Sequence, residues 1–511
     1  MGRALLPRGI VLGTFLAAAC LSPRRPEPPL RFVLLHTNDL HGQLLPREVR
    51  RPSGEGTVRV GGFATIGAYV ASAREEARGS GADLLLVDAG DWYQGTPEGA
   101  RTKGGAVVEW MNLVGYDAAV LGNHEFDHGL GNLRRLLDLA KFPVLAANVF
   151  VRKTGERPAG IRPHAVLERK GIRFAFVGLL SRATPDQTTA EIGAELRFDP
   201  EEEAVGGAVE AARREADLVF LLTHCGLETD RALARLAPEV SLVVGGHSHT
   251  RLAEPERVGA PLVLQTGSKG GAIGRVEFTV DPATKEIGSI RARLVDLSPE
   301  ERGEDPASAA LVRREEAAVR AEMDEEVGTL LADLPRGPGI GSSPAGNLVA
   351  DAMREAGGAD VAFTNKGGVR TSLLAGPVTR RSFFELLPFE NTVVVLEMTG
   401  AEIEAVLRAS LGGEGRTPLE ASGILVRWRR APEGRGELLS ATVGGAPIDP
   451  VRAYRVAVNS FLARGGDGYR AFAGPGSRED KGVLLRDAAV EWFRRRSPVR
   501  PAAEERFEQA R

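Results

Sequence analysis

Cysteine is nearly missing from this chain: Cys20 and Cys225 are its only two in 511 residues. Two thiols so far apart, one of them beside a candidate processing site, do not make a disulfide framework, so the fold must rest on its packed core. Past the first twenty residues no apolar run approaches the roughly 20 residues a membrane span needs. An excess of charge of one sign is lacking too. Lys and Arg number 65 against 68 Asp and Glu, and the net charge of −3 leaves no basic footprint for nucleic acid. Aromatics are 5% of the chain, so the few in its C-terminal half carry more information than usual. The hydrophobic content of 43% is that of an ordinary globular protein, and the length exceeds what one core normally holds, which predicts two domains. Histidine is also scarce. There are eight, yet seven of them fall in four short segments.

The N-terminus has the layout of an export signal. Arg3 and Arg8 precede an uncharged apolar stretch, Ile10 to Ala19, which ends in three alanines. Cys20 follows directly, as at a bacterial lipoprotein site, although the usual Leu three before the Cys is Ala17 here. Residues 1–19 are expected to be a signal peptide and the Pro-rich 20–29 a tether. The protein is expected to be exported to the periplasm or cell surface, with Cys20 as a possible lipid attachment point.

Short apolar runs alternate with helical patterns through the first half. Phe32–Leu35, Leu84–Val87, Ala118–Leu121, Val144–Ala147, Arg173–Leu180, Leu218–Leu222, Leu242–Val244 and Leu262–Gln265 read as buried strands, and Gly61–Ala77, Val107–Val114 and Leu133–Ala140 as helices. That is a layered α/β domain over about 30–300. Ala307 to Glu326 is charged and free of Gly and Pro, which predicts a solvated linker helix within 301–330. A second, smaller α+β domain is expected over 331–505, with a helix near Asn347–Glu355 and strands at Val361–Phe363, Val393–Glu397 and Tyr454–Val458.

The histidine segments lie beyond strand ends, where layered α/β sheets bind ligands. His36-T-N-D-L-H-Gly42 offers Asp39 and His41 one residue apart, so that both can enter one pocket. Asp88-A-G-D-Trp92 offers Asp91, whose two carboxylate oxygens suit a bridge between cations. Gly122-N-H-E-F-D-His128 offers the Asn123 amide, Thr223-H-C-Gly226 offers His224, and Gly245-G-H-S-His249 offers His247 and His249. Mixed nitrogen and oxygen donors around a shared carboxylate predict a two-metal hydrolytic site. His36 precedes its turn and reads as a residue that orients a ligand; His164 reads as surface. His124-E-F-D-His128 also matches the zinc-protease pattern H-E-x-x-H, but that pattern needs a helix, and flanking glycines after a strand argue for a loop.

These motifs resemble the calcineurin-like metallophosphoesterase superfamily. N-D-L-H-G with G-N-H-E-F-D and a second domain is similar, more narrowly, to the 5′-nucleotidase family, which includes UDP-sugar hydrolase and 2′,3′-cyclic-nucleotide phosphodiesterase. The resemblance runs from about Phe32 to Phe472. Asn365-K-G-G-V-Arg370 resembles N-G-G-G-[IV]-R, Leu387-P-Phe389 resembles L-P-F, and Phe461 with Asp467-Gly-Tyr resembles F-x5-D-G-[FY]. The resemblance implies a four-layer α/β/β/α sandwich and two divalent cations (Mn, Zn, Co or Fe). It implies attack on a phosphoester by a metal-bridging hydroxide, with His124, oriented by Asp127, as acid or charge stabiliser. For substrate it implies that Phe389 and Phe461 sandwich a base, Asp467 holds ribose, and Asn365 and Arg370 reach toward the metals.

One departure stands out. The family carries Arg ahead of the G-N-L segment, whereas this chain has Gly339-I-G-S-S-P before Gly346-Asn347-Leu348 and no Arg between Arg336 and Gly346. A bidentate phosphate contact is then missing unless Lys366 or Ser342 replaces it. The expected function is hydrolysis of a small phosphoester, a nucleotide in the first instance, with no nucleic-acid partner. The alternatives are a cyclic-nucleotide phosphodiesterase, a sulfur-ester hydrolase and a silent nucleotide-binding protein.

Overall fold

A computed structural model describes residues 27–510 except 52–55, 338, 413–416, 433–434, 475 and 502–503. The expected signal segment, Cys20 and most of the tether lie outside the described residues.

Strand alternation builds the first half. In Leu30–Thr37, Val33 and Leu35 face one core while Phe32 and Leu34 face another, because successive side chains leave a strand on opposite sides. The strand sits inside a seven-stranded sheet ordered Ile287–Asp296, Ala272–Val280, Leu30–Thr37, Ala82–Asp88, Ala118–Val120, Val144–Leu145, Ile161–Arg162. A six-stranded sheet runs Glu256–Arg257, Leu262–Leu264, Leu242–Val244, Leu218–His224, Ile172–Leu180, His164–Arg169. Phe32, Phe278, Phe174 and Phe220 interlock between the sheets. The helices Phe63–Gly79, Gly105–Val114 and Gly129–Leu139 share the outer core of the first sheet, and Glu201–Arg213 and Leu227–Leu236 that of the second. The result is the expected four-layer α/β/β/α sandwich.

The helix Pro306–Met323 differs from expectation. Asp305 caps it by accepting from Ser308 N at 2.7 Å, and Ser308, Leu311, Val312 and Glu315 are buried rather than solvated. The buried stripe packs on Phe63–Gly79 and Gly105–Val114, with Trp110 Nε1 donating to Ser308 Oγ and Glu315 paired to Arg101 and Arg314. Composition reported the charge but not the face.

The second half centres on a five-stranded sheet: Leu419–Ser422, Val361–Asn365, Ala453–Asn459, Thr392–Thr399, Arg478–Leu484. The helices Pro344–Gly357 and Leu485–Arg496 pack together beside it. A four-stranded sheet takes in Phe507–Gln509, which pairs in parallel with Ile424–Arg430, so this half extends past residue 505. No helix among the described residues is long and apolar enough to cross a membrane.

The two stacked sheets approach closely at Gly178. Ala147 N donates to its carbonyl at 2.7 Å, and a Cβ there would sit 2.7 Å from the Leu145 carbonyl carbon. Gly178→Ala is therefore expected to destabilise the N-terminal half by about 1–3 kcal/mol through overpacking, read as a lowered denaturation midpoint; an unchanged midpoint would show that the sheets separate freely there.

Candidate metal centre and substrate cavity

The polar loops at the strand ends are held in unusual backbone. Asp39, His41, Asp91, His247 and His249 all have positive φ, between 48° and 77°, a conformation that costs L-residues roughly 1–2 kcal/mol each. Hydrogen bonds between the loops offset that strain. Asp39 N donates to Gly90 O at 2.9 Å, His41 N to Asp91 O at 2.9 Å and Lys269 N to Asp39 O at 2.7 Å. Clustered strain of this kind, supported from several sides, marks a site built for geometry rather than stability.

The side chains so aimed form two groups that share one carboxylate. Asp39, His41, Asp91 and His249 present donor atoms within 4.8 Å of one another, as do Asp91, His224 and His247. Asn123 joins the second group, its Oδ1 3.0 Å from His247 Nδ1. All seven predicted ligand residues thus converge.

The donors fit divalent cations. His41 Nδ1 faces the Gln94 carbonyl at 2.8 Å and His224 Nδ1 the Ala89 carbonyl at 2.7 Å. Those bonds put the ring proton on Nδ1 and leave each Nε2 lone pair pointing inward. The inward atoms then crowd one another: His41 Nε2 lies 2.9 Å from His249 Nε2, and His224 Nε2 lies 3.2 Å from Asp91 Oδ2 yet has no hydrogen-bond partner. Lone pairs directed at lone pairs and carboxylates call for a positive charge among them. The fields agree. Burial opposes protonation of His224, but Asp91 and Asp39 outweigh it and lift the ring to about 10; the same field favours a cation. Asp91 is held well below the carboxylate range by His224, His124 and His41 despite burial.

His124 stands beside this cluster. Its Nδ1 is 2.7 Å from Asp127 Oδ2 and its Nε2 3.9 Å from Asp91 Oδ2. Burial lowers its basicity, Asp127 and Asp91 raise it, and the net effect is upward. Glu125, for which sequence reasoning found no task, accepts from the backbone N–H of Asp91, Trp92 and Gly122 at 3.1, 2.8 and 2.6 Å. It ties the loop carrying Asp91 to the loop carrying Asn123 and His124, and burial with Asp91 nearby raises its carboxyl to about 7. The protease reading of H-E-x-x-H fails geometrically: His124–Phe126 is one 3₁₀ turn, and His128 turns away to bond Tyr93 Oη at 3.1 Å. His36 is a correction. It is buried in the sheet on the Phe32 and Leu34 face, its Nδ1 has no partner among the described residues, and burial lowers it to about 3. His164 is strand rather than surface, half-buried and 3.3 Å from Glu215.

The second half closes over the cluster and makes a cavity of about 530 Å³. Arg370 reaches across, its Nη2 3.1 Å from His41 Nε2. Phe389 stacks on the His124 ring at 5.5 Å and 23°. Phe461 and Asp467 line the same cavity. Asn365 Nδ2 donates to Asp467 Oδ2 at 2.8 Å, while its Oδ1 is occupied by Asn459 Nδ2 at 3.0 Å. Asp467 sits at φ 52° between two glycines, which turns its carboxylate inward. All five predicted substrate residues share the cavity.

Each expected stand-in for the absent Arg already has a partner. Lys366 Nζ is paired with buried Glu420 at 3.0 Å, and Ser342 Oγ accepts from Arg506 N at 2.7 Å. Like Lys366, Arg336 lines the cavity. No described side chain or carbonyl bonds its guanidinium, and burial together with Arg370 lowers it to about 10. It stands three residues ahead of Gly339, outside the segment that the motif defines.

Comparisons with known proteins agree with this geometry. The calcineurin-like phosphoesterase family matches residues 32–251 and the 5′-nucleotidase C-terminal domain residues 326–474. The protein UshA of Escherichia coli is 28% identical over 97% of each chain. Among solved structures, the sulfate thiohydrolase SoxB of Thermus thermophilus shares the fold at 22% identity with a TM-score of 0.82, covering 94% of this chain and 97% of that one. A 5′-nucleotidase precursor, also from Thermus thermophilus, superposes with a TM-score of 0.86 at 31% identity, over 94% of this chain and 99% of that one. With that overlap in sequence and structure, the chain belongs to the 5′-nucleotidase family of calcineurin-like phosphoesterases, a family of metal-dependent hydrolases.

Proposed function

We propose that the protein is an exported two-metal phosphohydrolase acting on nucleotides. The observation that carries this reading is a carboxylate, Asp91, shared by two ligand groups and flanked by His124, facing a cavity that also holds Phe389, Phe461 and Asp467. Asp39, His41, His249 and Asp91 would hold one cation, and Asp91, Asn123, His224 and His247 the other. When bound, such a pair supplies Lewis-acid charge and an activated water. His124, steadied by Asp127, holds a proton at Nε2 beside the cluster and gives it to the leaving oxygen. Arg370 binds phosphoryl oxygens from the opposite side, and Arg336 takes the contact that the absent Arg would have made. Phe389 and Phe461 stack a base and Asp467 accepts from ribose hydroxyls. Residues 1–19 serve as signal and Cys20 as the lipid anchor; 30–300, 301–330 and 331 to the strand Phe507–Gln509 are the functional units.

Three outcomes are expected. Chelator-treated protein loses hydrolysis and recovers it with Mn or Zn. Asp91→Ala loses at least one bound cation, whereas His124→Ala keeps both and loses about 10²-fold or more in kcat. Metal analysis of the two variants beside their kinetics checks this; full kcat in metal-loaded His124→Ala would reject its role.

Phe461→Ala and Asp467→Ala raise KM for nucleotides about 5- to 150-fold relative to a small aryl phosphate. Equal losses on both substrates would remove the nucleotide assignment.

Arg336→Ala weakens both substrates about 10-fold or more, as loss of a charged hydrogen bond should. Restoring an Arg at Gly341 is not expected to compensate, because Gly341 has φ 129°. An unchanged KM in Arg336→Ala would remove it from the phosphate site.

A further inference from the structure

Gln94 touches both the metal loops and the second half. It lies in the turn between Asp91 and the short helix Pro97–Arg101. Its main chain belongs to the metal loops. Its carbonyl accepts from His41 Nδ1 at 2.8 Å, and the next residue, Gly95, packs so closely that a Cβ there would sit 2.7 Å from the His41 carbonyl oxygen. Its side chain belongs to the junction. Nε2 crosses to the second half and donates to Pro388 O at 3.1 Å, one residue ahead of Phe389, whose ring stacks on His124.

What the amide contributes is its donor. Gln94 is 5% exposed, and its Oε1 is shielded from solvent with no hydrogen-bond partner among the described residues. An enclosed carbonyl without a donor costs stability, and an apolar side chain of the same length would avoid that cost. Turning the amide over would set two oxygens against each other at Pro388, so its orientation is fixed from the second half. The backbone is held as well, since Gly42 N donates to Trp92 O at 2.7 Å and keeps the turn against the His41 loop. A rigid post on one half thus ends in one hydrogen bond to the segment that carries Phe389.

We propose that Gln94 is a positioning residue: it sets where Phe389 stands relative to the metal cluster, and through Phe389 the selectivity for substrates that carry a flat ring over those that do not. This rests on the nucleotide reading and deepens it, since the residue that fixes the stacking face stands on the half that carries the metal ligands.

The test uses the metal-loaded full chain. KM and kcat are measured for a nucleoside 5′-monophosphate and for a small alkyl phosphate, which has no ring to stack. Gln94→Met keeps the length of the side chain and removes the donor; Gln94→Asn keeps the amide but falls one methylene short of Pro388. Both should lower selectivity for the nucleotide about 3- to 10-fold, in KM rather than kcat, as loss of one neutral hydrogen bond should. Both should keep the metal content of wild type, because the carbonyl that faces His41 is retained. In a Phe389→Ala background the same substitutions should change selectivity less than about 2-fold, because residues that act through one another do not add. Losses of equal size in both backgrounds overturn the proposal. So does unchanged selectivity in both Gln94 variants beside a clear loss in Phe389→Ala, a result that leaves the nucleotide reading standing. A cation lost from Gln94→Met places its task at His41 and overturns the proposal as well. Unchanged selectivity in Phe389→Ala alone overturns the nucleotide reading and the proposal together.

Discussion

Two buried carboxylates set the terms for this molecule. Asp39 and Asp91 are 0% and 1% exposed, and an uncompensated ion at such depth would cost several kcal/mol. The compensation is local. His41, His224, His247 and His249 crowd around them, and the two groups of donors call for cations at their centres. The surrounding architecture follows from holding that arrangement. Sheet ends deliver the loops, left-handed backbone turns the ligands inward, and Glu125 ties one loop to the next through three backbone N–H groups. Gln265 braces the loop carrying His247 and His249 by accepting from Ser248 Oγ at 2.8 Å and donating to Gly246 O at 3.0 Å. Asn38 donates to Asp39 Oδ2 at 2.7 Å and accepts from Thr266 N at 2.8 Å.

The parts of the molecule legible in the sequence are those with short-range signatures. Apolar runs such as Leu84–Val87 mark their strands because burial on both faces leaves no other pattern. The ligands are legible because carboxylate, amide and imidazole recur at strand ends within a few residues. What stays hidden depends on distance in the chain. Glu125 stands in plain view but matches a protease motif, and only the fold shows that its carboxylate serves the backbone of residues 91 and 92. Gln265 and Asn38 are ordinary amides until the sheets bring their loops together. The amphipathic side of Pro306–Met323 is masked by its charge, since Glu315 is buried only by virtue of Arg101 and Arg314. Arg336 escapes a motif defined by spacing along the chain, because only the fold brings it to the cavity wall.

The junction between the halves is polar, and that has a consequence for how the site works. Arg370 meets His41, Gln94 Nε2 donates to Pro388 O at 3.1 Å, Arg381 pairs with Glu98, and Arg50 grips Asp333 through two bonds of 2.9 and 3.0 Å. Water can replace such contacts one by one, whereas an apolar seam of the same size would resist parting. The pairs are unequal. Arg50 and Asp333 are both exposed at the rim, where an ion pair contributes about 1 kcal/mol or less. Glu98 is almost fully buried beside Arg381, and a carboxylate there is stable only while its partner stays. Glu385 of the second half is half-buried and near enough to Lys269 of the first for each charge to favour the other, while burial raises the carboxyl and lowers the ammonium to about 8. Parting the halves would therefore rehydrate these charges, and rejoining them would strip that water away. A ligand bonded to both halves would add to the contacts that hold them together.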